Sequence, residues 1–396
     1  MDAGADQGGP ARHGTGHESA AGDESDSRMK IAFISTVLGY PWGGSDTLWT
    51  RAAEAASDRG DQLLLSVSPA VASHARIAAL SGAELVLREP MTGPPSFGAR
   101  VLRKLGWARS PDAGLIAALQ SFRPELVIFS QGGTYDLILH PALLAWLRTS
   151  GTKYRIIANW QQEHPQLDDP NLAAIRDTFV AADRLNFVST RNLAVTRRHL
   201  ALPLPNAAVI QNPLRWQPAD VAPWPAGPVT RLATVSRLDE GKGIQLLLQT
   251  LTVCDPTLPD WQLNIYGQGS YEPQLRAAAA PLGSRVQFRG YVNQLRAIWA
   301  ENHLMVSPAL EDGVPMTIPE AMLCQRPVLA TCVGGAEDWL RPDTTGFLCP
   351  KPDAERLAAT LREAFAARRQ WETMGRAAAA SAASRYRADD HLLLIA

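Results

Sequence analysis

The chain has 396 residues, with 38 Lys and Arg against 39 Asp and Glu, 46% hydrophobic and 19% charged residues. That length suits two domains whose cores need no disulfides, and a net charge of −1 excludes the basic excess that marks a nucleic-acid binder. The cysteines, Cys254, Cys324, Cys332 and Cys349, show neither a Cys-x-x-Cys pair nor zinc-ligand spacing, and no apolar run reaches the roughly 20 residues of a membrane span. The expectation is therefore a soluble cytoplasmic protein with no metal site.

Residues 1–28 contain no Ile, Leu, Val, Phe, Trp or Tyr, cannot bury enough apolar surface to order themselves, and are expected to be a disordered tail. The folded pattern starts abruptly at Met29-Lys30-Ile31-Ala32-Phe33-Ile34, which makes Met29 a candidate true start. From there short apolar runs alternate with helical stretches, the signature of β-α units and a parallel sheet. Predicted strands are Ile31–Ser35, Gln62–Ser66, Glu84–Leu87, Leu126–Ser130, Arg155–Asn159, Leu185–Ser189 and Ala208–Gln211, with helices over Asp46–Arg59 and Pro141–Thr149. Residues 29–212 then form one doubly wound, Rossmann-like domain.

Within it, Pro41-Trp42-Gly43-Gly44-Ser45-Asp46 joins the first strand to the first long helix. Gly43 and Gly44 allow close approach to a ligand, while Ser45 or Asp46 can equally serve only to cap the helix. Residues 97–109 carry Arg100, Arg103, Lys104 and Arg109 among Phe97, Val101, Leu102, Leu105 and Trp107, without an acid. Such a segment suits a basic helix lying on an anionic membrane surface; a solvated helix with its apolar side in the core is the plainer reading.

Pro213, Pro218, Pro223, Pro225 and Pro228 make residues 213–228 a semi-rigid linker by composition. Alternation then restarts across 229–380, with strands near Arg231–Ser236, Gln262–Tyr266, Val286–Arg289, Leu304–Ser307, Val328–Thr331 and Gly346–Leu348 and helices near Ile244–Thr250 and Glu320–Cys324. Ala354–Tyr386 has helical composition, and 381–396 is expected as a C-terminal helix packing back on the first domain. Two doubly wound domains facing each other would bind ligands in the cleft between their strand ends.

Three loops of the second domain bear on chemistry. Ser236-Arg237-Leu238-Asp239-Glu240-Gly241-Lys242-Gly243 follows a strand and precedes a helix. Its glycines, two cations and free helix N–H groups describe a diphosphate cradle, or else a solvated polar loop. Ile265-Tyr266-Gly267-Gln268-Gly269-Ser270-Tyr271-Glu272 lacks the third glycine of a dinucleotide fingerprint, so an NAD site is disfavoured. The third is Ala309-Leu310-Glu311-Asp312-Gly313-Val314-Pro315-Met316-Thr317-Ile318-Pro319-Glu320. Its prolines place Asp312 in a loop and Glu320 near a helix start. On one helix, eight residues would separate these acids by about 12 Å, beyond the roughly 5 to 9.5 Å of a glycosidase pair. They can suit a helix N-terminus electrostatically or accept hydrogen bonds from sugar and ribose hydroxyls.

Together these stretches resemble retaining glycosyltransferases of the GT-B fold, most closely glycosyltransferase family 4, over roughly residues 29–385. Val235–Gly243 is similar to the family's G/S-R-L-x-x-x-K-G, and Asp312–Pro327 to its E-G-x-P-x-x-x-x-E-A-x-x-x-x-x-P. Val333-Gly334-Gly335-Ala336-Glu337 and Gly346-Phe347-Leu348 resemble further family blocks. The resemblance implies an α/β, GT-B architecture and transfer of a sugar from a UDP-sugar or GDP-sugar to a hydroxyl of a glycan or lipid-linked acceptor, with retention and without a metal or other cofactor. Polysaccharide or glycoconjugate assembly is the expected setting, in the cytoplasm and peripherally on the inner membrane. By the same resemblance Arg237 and Lys242 bind the donor diphosphate, Glu320 the ribose, and Asp312 with Gly313, Val314 and Pro315 the donor sugar. Gly43 and Gly44 match the glycine loop near donor and acceptor, and Tyr291 lies near the base by family position.

Two departures stand out. The first acid of the family's E-x7-E pair is Asp312, a shorter side chain. Where the family often has His after the strand at Arg155–Asn159, Gln161 stands here, followed by Glu163 and His164. Gln can hydrogen-bond a sugar hydroxyl but cannot move a proton, so Glu163 or His164 compensates or the role is dispensable. The competing readings are a sugar-nucleotide-binding relative that has lost transfer, and another GT-B reaction such as nucleotide-sugar epimerisation.

Overall fold

The computed structural model describes residues 28–37, 42–88, 112–160, 169–254 and 258–396. Segment 97–109, with its proposed membrane contact, and Gln161, Glu163 and His164 lie outside the described residues, as does nearly all of the N-terminal stretch.

The apolar runs form two all-parallel sheets. The first has seven strands in the order β3-β2-β1-β4-β5-β6-β7: β1 Lys30–Ser35, β2 Gln62–Val67, β3 Glu84–Leu87, β4 Leu126–Gly133, β5 Lys153–Trp160, β6 Arg184–Phe187 and β7 Ala207–Val209. The second has six in the order β10-β9-β8-β11-β12-β13: β8 Thr230–Val235, β9 Trp261–Tyr266, β10 Val286–Gly290, β11 Leu304–Ser307, β12 Val328–Thr331 and β13 Gly346–Cys349. Strands covered on both faces must be apolar throughout, which is why Ile31 to Ile34 are all buried and why runs, not alternation, carried the strand signal.

Both sheets reverse their winding direction once, between β1 and β4 and between β8 and β11. In open α/β sheets the crevice outside the strand C-termini at such a reversal receives ligands. The loops after those four strands are the ones that build the site.

Several helices carry no strong sequence signal. Ala113–Phe122, Asp169–Ala181 and Thr190–Leu200 are helical although turn residues and charge blur their periodicity. The helix expected at Glu320–Cys324 instead spans Thr317–Leu323, because Pro319 is tolerated in a first turn whose N–H groups have no intrahelical acceptor.

The proline-rich connection is fixed to the second domain. Arg326, 1% exposed, donates to the carbonyls of Ala222 and Pro223 as well as Trp299 and Asn302, with its guanidinium 5.2 Å from the Trp224 ring centroid. His303 Nε2 lies 3.2 Å from Pro225 O. Prolines lack N–H groups but keep their carbonyls, so one buried guanidinium can hold the whole strap.

The chain end also differs from expectation. The last long helix, Trp371–Arg385, stops short of the C-terminal helix anticipated at 381–396, and a 3-10 turn over Asp390–Leu394 follows. Gln211 N donates to Asp390, Arg155 donates to Leu394 O, and Leu394 and Ile395 are buried in the first domain's core.

Candidate functional site

Between the sheets lies a cleft of about 770 Å³ lined by residues of both domains and of the connection. On the second-domain side, the loop after β8 and the loop after β11 are strapped together. Leu310 N and Glu311 N both donate to Gly241 O, at 2.9 and 3.2 Å. Gly243 sits at φ +66° with its missing Cβ only 1.9 Å from Pro308 O, so no other residue fits there. The Gly267-x-Gly269 turn buttresses the same loop. A Cβ on Gly267 would fall 1.8 Å from Ser236 O, and Leu238 N donates to Gln268 O. That packing explains the weak dinucleotide-like pattern.

Within this frame Lys242 Nζ pairs with Asp312 Oδ2 at 2.7 Å, and Arg237, its side chain 42% exposed, reaches Asp239 at 3.3 Å. Gly334 and Gly335 of the downstream block back the Asp312 loop: Gly335 N donates to Gly313 O at 2.9 Å, and Gly334, at φ +54°, has no room for a Cβ beside Asp312 O.

Glu320 is 1% exposed yet lines the cleft. Its carboxylate takes two parallel hydrogen bonds from Arg215 Nε and Nη2, at 3.1 and 2.9 Å, and a third from Arg215 N. Burial pulls the Arg215 guanidinium down, but the bond to and charge of Glu320 outweigh it and hold it above its ordinary value. Arg215 comes from the connection, 105 residues away, and had no sequence signal beyond lying between prolines.

The first-domain side repeats one device twice. After β1, Gly43 N donates to Asp46 Oδ2 at 2.9 Å, the N3 residue of helix α1, Gly44–Asp58. Asp46 thus bonds back to the residue before the helix, and burial pushes its carboxyl up to about 6 against the bonds from Trp49 and Gly43. At the end of β4, Gly132 N and Gly133 N donate to Asp136 Oδ2 at 2.9 and 3.1 Å. A glycine pair with an Asp two or three residues beyond it is common to both, Gly43-Gly44-Ser45-Asp46 and Gly132-Gly133-Thr134-Tyr135-Asp136, and only the first is singled out from sequence.

The two sides touch at Gly313, whose Cβ position is 1.9 Å from Asn159 O at the end of β5. Thr190 N and Oγ1 both bond Asp338, and Arg191 pairs with Glu337 at 3.2 Å, so the domains are latched together. Gly43, Gly44, Arg237, Lys242, Asp312, Gly313, Val314, Pro315 and Glu320 all line the one cleft. Tyr291 does not line it; the residue is 62% exposed and its hydroxyl donates to Asn293. Arg215, Asp136, Asn159 and Asn212 also line the cleft and were not foreseen.

Residues 229–366 match the family model described as Glycosyl transferases group 1. An uncharacterized glycosyltransferase of Haemophilus influenzae is 28% identical over 133 residues, 33% of this chain and 38% of that protein. A GDP-mannose-dependent monoacylated alpha-(1-6)-phosphatidylinositol monomannoside mannosyltransferase of Corynebacterium glutamicum is 30% identical over 142 residues, 33% of this chain and 37% of that protein. The matched region therefore spans little more than a third of either relative. The fold extends further. Anabaena Alr3699/HepE in complex with UDP superposes with a TM-score of 0.68 at 19% identity over 93% of this chain and 98% of its own. Sucrose-phosphate synthase from Thermosynechococcus elongatus gives 0.69 at 18% identity over 93% and 97%. The architecture is that of the GT-B glycosyltransferases.

Proposed function

We propose that this chain, with its GT-B fold and group 1 glycosyl transferase domain, is a retaining, metal-independent glycosyltransferase. It moves a sugar from a nucleoside-diphosphate sugar to an acceptor hydroxyl in glycan or glycoconjugate assembly. The observation that carries this reading is the convergence of Arg215, Arg237 and Lys242 on one cleft beside the buried carboxylate Glu320. Cations already held in place by neighbouring carboxylates cost little reorganisation when negative charge develops on a leaving diphosphate.

In this reading Arg237 and Lys242 hold the diphosphate, with Asp312 releasing part of its hold on Lys242 as the ligand enters. Glu320, aimed by Arg215, accepts from the ribose hydroxyls. The bond from the anomeric carbon to the diphosphate oxygen breaks as the acceptor oxygen bonds to that carbon from the same face. The acceptor's proton passes to the departing phosphate oxygen, so charge balances without a base on the protein. The relatives support the class of donor: one is described as GDP-mannose-dependent and one structural neighbour holds UDP.

The test is product analysis. UDP-glucose, UDP-N-acetylglucosamine and GDP-mannose are each incubated with the protein and a panel of glycosides and lipid-linked sugars, with and without EDTA, and the products are examined by NMR. Transfer with the donor's α configuration kept, unchanged by EDTA, is expected. Inverted product, or dependence on a divalent ion, would contradict it.

A further inference from the structure

We propose that Asp338 is a positioning residue for the transfer step: its carboxylate ties the first domain to the loop that carries Asp312 and Gly313. The inference rests on the transferase reading above and adds to it a residue that is not among those lining the cleft.

Three loops have a glycine pair with an aspartate two or three residues on: Gly43-Gly44-Ser45-Asp46, Gly132-Gly133-Thr134-Tyr135-Asp136 and Gly334-Gly335-Ala336-Glu337-Asp338. In the first two the carboxylate turns back and accepts from the glycine N–H groups of its own loop. The third exchanges both partners. Gly335 N donates to Gly313 O at 2.9 Å, and the carboxylate reaches out of its own short helix, Ala336–Trp339, to the first domain. There Thr190 N donates to Asp338 Oδ2 at 2.9 Å, and Thr190 Oγ1 donates to Oδ1.

Thr190 opens the helix Thr190–Leu200, whose N-cap Ser189 already uses its side chain on Asn192 N. N–H groups of a first turn have no intrahelical acceptor, and the helix dipole favours a carboxylate beside them. Asp338 supplies that carboxylate from the other domain, and a hydrogen bond from N–H to carboxylate is of the stronger, charge-assisted kind. Arg191 pairs with Glu337 at 3.2 Å beside it, but their side chains are 37% and 48% exposed, and an exposed pair adds little. The tie is carried by Asp338.

Its other end reaches the cleft. Gly335 is wedged between the domains: a Cβ there would lie 3.2 Å from Ser189 Cβ and 3.0 Å from Val314 Cγ2. Gly313 hangs on Gly335 N, and the neighbouring Asp312 holds Lys242. Arg385 Nη1 donates to Asp338 O at 2.7 Å, which fixes the short helix from behind. The loop that faces the donor sugar in this reading is therefore set in place against the first domain. Arg215, Arg237, Lys242 and Glu320 belong to the connection and the second domain, so diphosphate binding does not need the tie. Breaking the bond at the anomeric carbon does, because a displacement of about 1 Å in a reacting site costs on the order of a hundredfold in rate.

The experiment follows turnover of UDP-glucose and GDP-mannose by the full chain with water as the acceptor, read as released UDP or GDP, beside calorimetry of UDP and GDP. Asp338→Ala is expected to lower kcat about tenfold or more while KM stays within about threefold and diphosphate affinity within about twofold. Asp338→Glu, which keeps a carboxylate, should restore part of kcat. Thr190→Val removes one of the two bonds and should lower kcat less, with no further effect in the Asp338→Ala chain. A lower melting temperature with kcat unchanged would mean a merely structural role and overturn the proposal. Equal losses of kcat and diphosphate affinity, or effects of the two substitutions that multiply, would overturn it as well. Thr190→Val and Asp338→Glu serve if Asp338→Ala does not fold. If wild type binds neither diphosphate, the transferase reading fails by that result alone. In that case, or where turnover is too slow to read, small-angle scattering of the unliganded chains decides the tie. A larger radius of gyration for Asp338→Ala, with circular dichroism unchanged, supports it; an unchanged radius overturns it.

Discussion

Lys242 Nζ and Asp312 Oδ2 sit 2.7 Å apart, joining two loops that are 70 residues separated in sequence. The amine that would hold a diphosphate is already partnered, so a ligand must compete with Asp312 for it. Lys242→Ala is expected to weaken UDP or GDP binding about 10- to 100-fold, the loss of one charge-assisted contact. Asp312→Asn should leave diphosphate binding intact or tighter while slowing sugar transfer. Calorimetry with initial rates separates these; equal loss of diphosphate binding in both variants would mean that Asp312 supports the site instead of competing in it.

Arg215 and Glu320 make a different kind of pair, because the carboxylate is buried. Removing the cation leaves that charge without its partner, and breaking buried pairs from one side costs about 3–5 kcal/mol, discounted here because Arg215 keeps some solvent contact. Arg215→Ala should therefore lower the unfolding free energy by about 2 kcal/mol or more, and Glu320→Gln in the same chain should recover part of it. Urea denaturation of the single and double variants checks this; additive losses would show that the pair is not coupled.

Gly313 is where the domains meet, with no space for a methyl group against Asn159 O. Gly313→Ala is expected to push the domains apart and leave both cores intact. Small-angle scattering should show a larger radius of gyration, with circular dichroism unchanged and transfer reduced. An unchanged scattering profile would place the strain within one domain.

Asp46 gives the pH dependence a sign. Its folded-state carboxyl is pushed up to about 6 from 3.8, mainly by burial, so between those values the folded chain keeps a proton that the unfolded chain has released. Stability from this group falls as pH rises through that window and stays at its lowest above about 6. Asp46→Asn should match wild type below pH 4 and exceed it by roughly 2 to 3 kcal/mol at pH 8. Thermal unfolding of both proteins from pH 4 to 8 reads the difference directly; a constant offset would contradict the assignment.

The strands were legible because a sheet covered on both faces demands unbroken apolar runs; the buried strands β11 and β12 begin and end where the sequence places them. Glycine loops were legible for a related reason. Gly243 and Gly313 lie where backbone meets backbone, and only glycine permits that. Arg215 was not legible, since its meaning depends on Glu320, 105 residues away, and no local spacing encodes such a pairing. The connection was read as a spacer from its prolines, while the residue that fixes it, Arg326, lies in another motif. Asp136 could have been found by applying to Gly132-Gly133 the reasoning used for Gly43-Gly44.

Calorimetry of UDP, GDP and ADP on wild type and Arg237→Ala, with and without EDTA, decides whether Arg237 and Lys242 form a diphosphate site. Selective binding of one diphosphate is expected, unaffected by EDTA and weakened about tenfold or more in the variant. Equal affinity of wild type and Arg237→Ala for that diphosphate would contradict it.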